Sequence, residues 1–350
     1  WLHLKDASAA RAIATTIAAG IITLTVFSFS MVMIVLNQAA SQLSNRVLEQ
    51  LIENRFQQLV LGTYIGTIVY ALFILTTIRE GDKGSSIPAL SVYLLILIGI
   101  LDIFLFIYFL HFITQAVRYE VIISKAHAET QRSLEKMCVL EKEPTPAQMN
   151  SLSFDIRARH DGVYDGIDLR GMLRSCMEYQ CVVGISVLSG AFILKGTPLL
   201  HVDRSLPEEA QNKLLDNVLL PRIGSVEDDP ALGFRQLTEI GMKALSPGIN
   251  DPGTASLTLR ALFQLFNFRM THFPETMYRD KEGHLRIMMA HWSFGQIFEG
   301  TVLAIWDYGK KDRSILHELK NLLGQLRTDA NEVVDMRRRV QAALQEHESE

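Results

Sequence analysis

Residues 87–113 read IPALSVYLLILIGILDIFLFIYFLHFI, 27 consecutive positions carrying a single charge, Asp102. A bilayer core about 30 Å thick is crossed by about 20 helical residues, so this stretch is long and apolar enough to span it. Two earlier stretches have the same character. Ala12 to Leu36 is uncharged over 25 residues, and Leu59 to Ile78 over 20. Three such runs in succession predict three membrane spans, at about 12–36, 59–78 and 87–113, and not three buried helices of a soluble core.

Outward from these runs, the composition changes at residue 117. The first 117 residues hold six Lys/Arg and six Asp/Glu, whereas the other 233 hold 28 and 32. The net charge of −4 over 350 residues therefore averages a charge-poor membrane part with an ordinary soluble one. Neither part has a cationic excess, which excludes a basic nucleic-acid binder. The chain begins at Trp1 and not at Met, as expected of a piece of a longer protein. Its first apolar run is too long for the core of a secretory signal.

Cys138, Cys176 and Cys181 match no zinc or CxxC spacing and read as free thiols of a reducing compartment. The connections divide the basic residues four against six. Lys5, Arg11, Arg79 and Lys83 share one side; Arg46, Arg55, Arg118, Lys125, Arg132 and Lys136 share the other. The richer side carries everything after residue 117. This predicts a multi-pass membrane protein with its large C-terminal part in the cytoplasm.

In the first span Thr16, Thr23, Ser30, Asn37 and Ser44 recur every seven residues, with Gly20, Phe27, Ile34 and Ser41 between them. On a helix they form one slowly drifting stripe. Two readings fit. The stripe packs against another helix, or symmetry-related copies of it line a water-filled axis with Phe27 and Ile34 as constrictions. The second reading makes Thr16, Thr23, Phe27, Ser30, Ile34, Asn37, Ser41 and Asp102 pore-lining candidates of a homo-oligomer in the lipid bilayer. Asp102 needs a partner at mid-span, and Thr63, Thr67 and Tyr70 of the second span are the candidates. Gly62 and Gly66 form a GxxxG, which reads as a close-packing face.

Residues 1–117 are thus expected to be a transmembrane domain and 118–143 an amphipathic helical linker, closed by the Glu143-Pro144-Thr145-Pro146 break. Residues 152–205 are expected to form a small β-rich unit. Within it, Ser189 to Val202 has a glycine–proline rhythm that resembles the barrel-sandwich unit of lipoyl and biotinyl domains, but Lys195 lacks the flanks of a modified carrier lysine. Residues 206–350 are expected to be mostly helical. The fold class is a multi-span α-helical membrane domain followed by a cytoplasmic α+β domain.

Ser246-Pro247-Gly248-Ile249-Asn250-Asp251-Pro252-Gly253-Thr254-Ala255 is the densest motif. A turn leads into a helix that Asn250 or Asp251 caps and Pro252 starts. It is a helix–loop–helix corner, or a helix start whose amides hold a small anionic ligand, with Ser246, Asn250, Asp251 and Thr254 as ligand-binding candidates. Catalysis is not expected, because no nucleophile, base and oxyanion donor converge in the sequence. An enzyme would need Asp228 or His201 to reach Asp251. The scattered histidines suggest no metal site, and no cofactor is implied. Arg337-Arg338-Arg339 reads as a solvated helix face.

Three segments carry a resemblance. They are Phe27-Ser28-Phe29-Ser30 on to Ala39-Ala40-Ser41-Gln42-Leu43, then Gln58-Leu59-Val60-Leu61-Gly62, and Ala244 to Ala255. Together they are similar, over nearly the whole chain, to the bacterial predicted-membrane-protein family known as domain-of-unknown-function family 2254. The resemblance implies further apolar sequence before Trp1 and the architecture of a multi-pass protein of the bacterial inner (cytoplasmic) membrane, and it implies no activity. Gly224 to Asp229 is more acidic than the segment that leads into this last motif in the family. Three function classes follow: a pore, a membrane-anchored sensory or scaffold protein, and a membrane enzyme acting at the Ser246–Ala255 corner.

Overall fold

The computed structural model describes residues 6–42, 55–78, 88–116, 118–144, 149–220 and 229–349. The chain divides into two units, residues 1–122 and 123–350.

The first unit is built on α1 (Ala7–Gln42), α2 (Arg55–Thr77) and α3 (Ala89–Ala116). Each is long and apolar enough to cross a membrane, over Ala7–Asn37, Arg55–Thr77 and Ala89–Gln115. α1 begins five residues before the uncharged run. Asp6 accepts from the Ser8 N–H at 2.9 Å, and the Arg11 guanidinium donates to the Ile78 carbonyl at 3.0 Å, closing the end of α2. Both charges thus serve helix termini, where free backbone groups need partners.

Each helix buries one seam at steps of three and four. On α1 it is Ala7, Ala10, Ala14, Ala18, Ile21, Ser28 and Val32; on α2, Val60, Tyr64, Thr67, Ala71 and Ile74. On α3 it is Val92, Leu95, Gly99, Asp102, Phe109 and Ile113. Small residues let backbones approach where hydrophobic driving force between helices is absent. A Cβ at Gly99 would come within 3.2 Å of the Ile17 side chain. Gly62 and Gly66 do not act this way: among the described residues nothing lies within 4 Å of a Cβ at either. The GxxxG expectation therefore finds no close contact among the described residues.

α4 (Tyr119–Met137) leads into the second unit. Its main sheet is formed by β1 (Phe154–Arg157), β4 (Val183–Ile185), β6 (Pro198–Val202), β8 (Met277–Arg279) and β9 (Leu285–Met289), in the order β1-β6-β4-β9-β8. Two smaller pairs are β2 (Gly162–Val163) with β5 (Phe192–Ile193) and β3 (Gly166–Ile167) with β7 (Val218–Leu219). The run from Gly162 to Ile167 alternates like one strand but is broken at Gly166, whose φ of +131° is open only to glycine.

The β4–β9 pairing is parallel, Val183 opposite Ile287. Strands from 152–205 and from 277–289 therefore share one sheet and one core, which includes Ile156, Val183, Ile185, Leu200, Val202 and Ile287. The boundary expected at residue 205 does not divide this sheet. Nor do the pairings carry the barrel-sandwich expectation, since β5 lies with β2 while β6 lies between β1 and β4.

The helices of this unit after α4 are α5 (Leu169–Glu178), α6 (Glu208–Leu215), α7 (Pro230–Ala244), α8 (Pro252–Arg269), α9 (Phe294–Phe298), α10 (Ala304–Gly309), α11 (Arg313–Gln325) and α12 (Asn331–Ser349). A π-helical turn, Glu299–Leu303, joins α9 to α10. Side-chain caps start several of these helices: Asp168 for α5, Asp229 for α7, Asp251 for α8 and Asp312 for α11. Phe234 and Phe266 stack at 5.7 Å between α7 and α8, and Phe298 reaches Phe266 at 5.3 Å. Arg337 departs from the solvated face expected for the arginine run. It donates to the carbonyls of Leu323 at 3.0 Å and Leu326 at 2.6 Å, closing the end of α11.

Gly233 faces Thr130 of α4, and a Cβ there would overlap the buried Thr130 side chain. Gly324 of α11 has nothing within 4 Å. Gly233→Ala is expected to destabilise by about 1–3 kcal/mol through overpacking, whereas Gly324→Ala gains up to about 1 kcal/mol of helix propensity. Thermal unfolding of the two variants checks this, and equal midpoints would refute the close approach.

Candidate functional site

Asp102 occupies the buried seam of α3 at the level of Tyr64 and Thr67 on α2 and Ser28 on α1. All four are within 2% of complete burial. The Thr67 hydroxyl is beside the Asp102 carboxyl, and the Tyr64 hydroxyl is beside Ser28. These approaches stop short of hydrogen-bond geometry. Ser28 Oγ, Tyr64 Oη and both carboxyl oxygens of Asp102 have no hydrogen-bond partner among the described residues. Thr67 Oγ1 instead donates to the Thr63 carbonyl at 3.0 Å.

Of the three partners expected for Asp102, Thr67 alone is brought to it. Thr63 turns to the Leu59 carbonyl at 2.9 Å and Tyr70 to the Ser91 carbonyl at 3.3 Å. Sequence reasoning missed Tyr64 and Ser28. Both carried a signal, since Tyr64 lies three residues before Thr67, and Ser28 lies seven after Ile21 on the seam that the alanines start.

The first-span candidates go elsewhere. Thr16, Thr23, Phe27, Ser30, Ile34 and Asn37 are exposed on the single chain. Thr23 and Ser30 return their hydroxyls to their own helix, to Ala19 O at 2.9 Å and Val26 O at 2.8 Å. Phe27 keeps an edge contact with Phe106 of α3 at 5.8 Å. Ser41 lies in α1 with its side chain outside the described ones, and Ser44 is outside the described residues. The stripe from Thr16 to Asn37 is thus one uncovered surface, and Asp102 is not on it.

The Ser246–Ala255 corner is held by its own side chains. Asp251 caps α8: Oδ1 accepts from the Thr254 N–H at 3.0 Å and Oδ2 from the Thr254 hydroxyl at 2.6 Å. These bonds hold its carboxyl below the usual carboxylate range. Ser246 donates to the Lys243 carbonyl at 2.7 Å, and Asn250 takes a φ of +48°. His201 bonds Asp155 and not Asp251, and Asp228 is outside the described residues.

The second unit also holds a cavity of about 340 Å³. Its lining includes Tyr164, Phe234, Arg269, Tyr278, His291 and Trp292, drawn from segments that local sequence patterns do not connect. Arg269 is buried, donates to the carbonyls of His272 at 3.2 Å and Trp292 at 3.0 Å, and lies over the Phe273 ring at 5.5 Å. Burial pushes the Tyr278 phenol up to about 12 and the His291 imidazole down. His291 Nε2 is 3.1 Å from the Glu275 carbonyl. The described residues contain no group of three metal-ligating side chains.

His127 and His291 are both held below the ordinary imidazole value of 6.5 by burial. Below that value the unfolded chain takes up protons that the folded one refuses. The stability these neutral rings confer is therefore present above about pH 6.5 and lost as pH falls through their lowered folded values. The unfolding midpoint of the detergent-solubilised protein is expected to drop between about pH 7 and pH 5. His127→Gln with His291→Asn should flatten that drop, and a slope unchanged by the double variant would contradict the assignment.

Comparison with known proteins agrees with the membrane architecture. Uncharacterised proteins of Mycobacterium bovis and Mycobacterium tuberculosis are 25% identical to the chain over 353 residues, covering 96% of it. The chain spans 66% of the length of these relatives. No solved structure matches. A family model described as a predicted membrane protein, domain of unknown function 2254, matches residues 1–325, and the chain belongs to that family.

Proposed function

We propose that the protein moves a proton or a small monovalent cation across the membrane, with Asp102 as the binding group inside the three-helix unit. The observation that carries this reading is the cluster of Ser28, Tyr64 and Asp102 oxygens, buried between membrane helices without hydrogen-bond partners. Buried polar atoms are nearly always satisfied, and an unsatisfied one costs about 1–3 kcal/mol. A carboxyl in a membrane segment is by default a functional group. A proton, or a cation held by the carboxylate and the three hydroxyls, removes the deficit.

Self-association belongs to the same proposal. The Thr16–Asn37 stripe of α1 and the Gly62/Gly66 face of α2 are both uncovered in the single chain, and both have the small-residue composition of helix contacts. A homo-oligomer with α1 lining its axis uses the first of them. In the same proposal the C-terminal unit lies on the cytoplasmic side of the inner membrane, a reading supported by the charge of the connections and by the free, buried thiols.

Ion flux into proteoliposomes, read with pH- and Na⁺-sensitive dyes, tests the proposal. Asp102→Asn is expected to lower flux by at least about tenfold with the unfolding midpoint retained. Flux equal to wild type overturns the role of Asp102. Phe27→Ala separates the two routes. Raised conductance supports a pore along the α1 stripe, and unchanged conductance with loss in Asp102→Asn supports a path through the bundle.

The second reading, a membrane-anchored sensor, is favoured by the cavity beside Trp292. A small amphiphile with an aromatic body suits that lining. Binding of 8-anilinonaphthalene sulfonate, followed by Trp fluorescence transfer, is expected in the wild type and is expected to fall at least about tenfold in Ala231→Trp, which fills the cavity. Equal binding by both would remove the cavity as the ligand site.

A further inference from the structure

Beyond any ion or ligand function, we propose that Ser186, His201 and Asp155 form a hydrolytic site that cleaves carboxylic esters. Asp155 Oδ1 is 2.8 Å from His201 Nδ1, and His201 Nε2 is 3.0 Å from Ser186 Oγ. This is the connectivity that acyl transfer by serine requires: carboxylate to Nδ1, hydroxyl to Nε2. With the Nδ1 proton shared with Asp155, Nε2 is left as the acceptor for the serine proton.

Strand register assembles the site. Asp155 lies opposite His201 across β1 and β6, and His201 lies opposite Gly184 across β6 and β4. Ser186 is two residues beyond Gly184 and therefore on the same face. Gly184 has no side chain to stand between them; a Cβ there would run into Leu152 and Met149. Next across the sheet on that face is Met288, opposite Gly184 on β9. Leu152, Met149 and Met288 thus give an apolar floor next to an exposed serine.

Ser186 follows the end of β4, and the N–H groups of Ser186 and Val187 donate to no acceptor among the described residues. They adjoin the nucleophile in sequence, and the proposal assigns them to the developing oxyanion. An ester suits so open a site better than an amide, because an alkoxide leaves with less help from a proton donor.

The reaction balances with water as the co-reactant. Ser186 Oγ bonds to the acyl carbon while its proton passes to His201 Nε2. The bond from acyl carbon to alcohol oxygen then breaks, and the His201 proton goes to the departing alcohol. Water next gives a proton to Nε2 as its oxygen bonds to the acyl carbon. The bond from Ser186 Oγ to the acyl carbon breaks, and Oγ recovers the proton. Ester and water become acid and alcohol. Ser186 and His201 are the catalytic residues, and Asp155 is a positioning residue that fixes the imidazole tautomer.

The test is labelling of the full chain in detergent by a fluorophosphonate probe, with the modified residue located by mass spectrometry, beside hydrolysis of p-nitrophenyl butyrate. Ser186 is expected to be modified, and Ser186→Ala is expected to lose both signals. His201→Ala is expected to slow labelling by about 100-fold or more and to regain hydrolysis with added imidazole. Asp155→Asn is expected to lose about tenfold or more, with Asp155→Glu restoring most of it. Wild-type Ser186 left unmodified under conditions that saturate a known serine hydrolase overturns the proposal. So does labelling at an equal rate in His201→Ala. Ser186 and His201 are not in the interior of the core, and matched unfolding midpoints separate loss of chemistry from loss of fold.

Discussion

A carboxyl with no partner at the middle of a membrane helix is the constraint around which the first unit is arranged. Asp102 cannot turn toward lipid without turning Leu95 and Phe109 with it, because all three share the one seam that α3 presents to α1 and α2. The periodicity that buries apolar side chains therefore buries the carboxyl too. An ionised group there costs about 2.5–3.5 kcal/mol on insertion scales, and the surroundings supply hydroxyls without bonding them to it. Ser28 and Tyr64 add two more unsatisfied oxygens at the same place. A purely structural seam would have been served better by leucine at all three positions. Their presence in a charge-poor segment is the physical reason to read this point as a place that something occupies.

The contrast with the second unit strengthens that argument. Among the described residues five buried side-chain atoms lack a hydrogen-bond partner; four belong to this cluster, and the fifth is His127 Nε2. Elsewhere the buried polar groups are met. The Arg286 Nε donates to Asp280 at 2.8 Å, Arg269 meets two carbonyls, and Thr258 returns to the Thr254 carbonyl at 2.9 Å. Four open atoms in one cluster, against one in the rest of the described residues, set Asp102 and its neighbours apart.

Much of this was legible in the sequence, and the limits have identifiable causes. The three spans follow from length and apolarity alone. The helix start at Asp251 is a local event, with the cap three residues from the N–H it meets. The face of α1 that packs was not legible. Hydroxyls spaced by seven make the more conspicuous stripe, yet alanines at 7, 10, 14 and 18 form the contact. In an apolar helix the two faces differ in size and hardly in polarity, so hydrophobic patterning does not rank them. For the same reason Asp102 was found as a lone charge, while its neighbours Ser28 and Tyr64 were not found at all.

In the second unit the unread part is long-range pairing. β4 and β9 meet in parallel although about a hundred residues lie between them, and no local signal announces such a partner. Everything chemical in that unit depends on pairings of this kind. His201 is 46 residues from Asp155 and 15 from Ser186, and strand register alone makes them neighbours. The conspicuous Ser246–Ala255 motif is the opposite case. Its polar side chains look like a ligand set in one dimension, but those of Ser246, Asp251 and Thr254 are taken up locally in closing a turn and starting a helix. Density of polar residues along a chain measures how much local structure must be capped. Convergence of polar residues from distant strands or helices has no such local use, which makes Asp102 with its three hydroxyls, and the Ser186–His201–Asp155 line, better places to look for function than the motif itself.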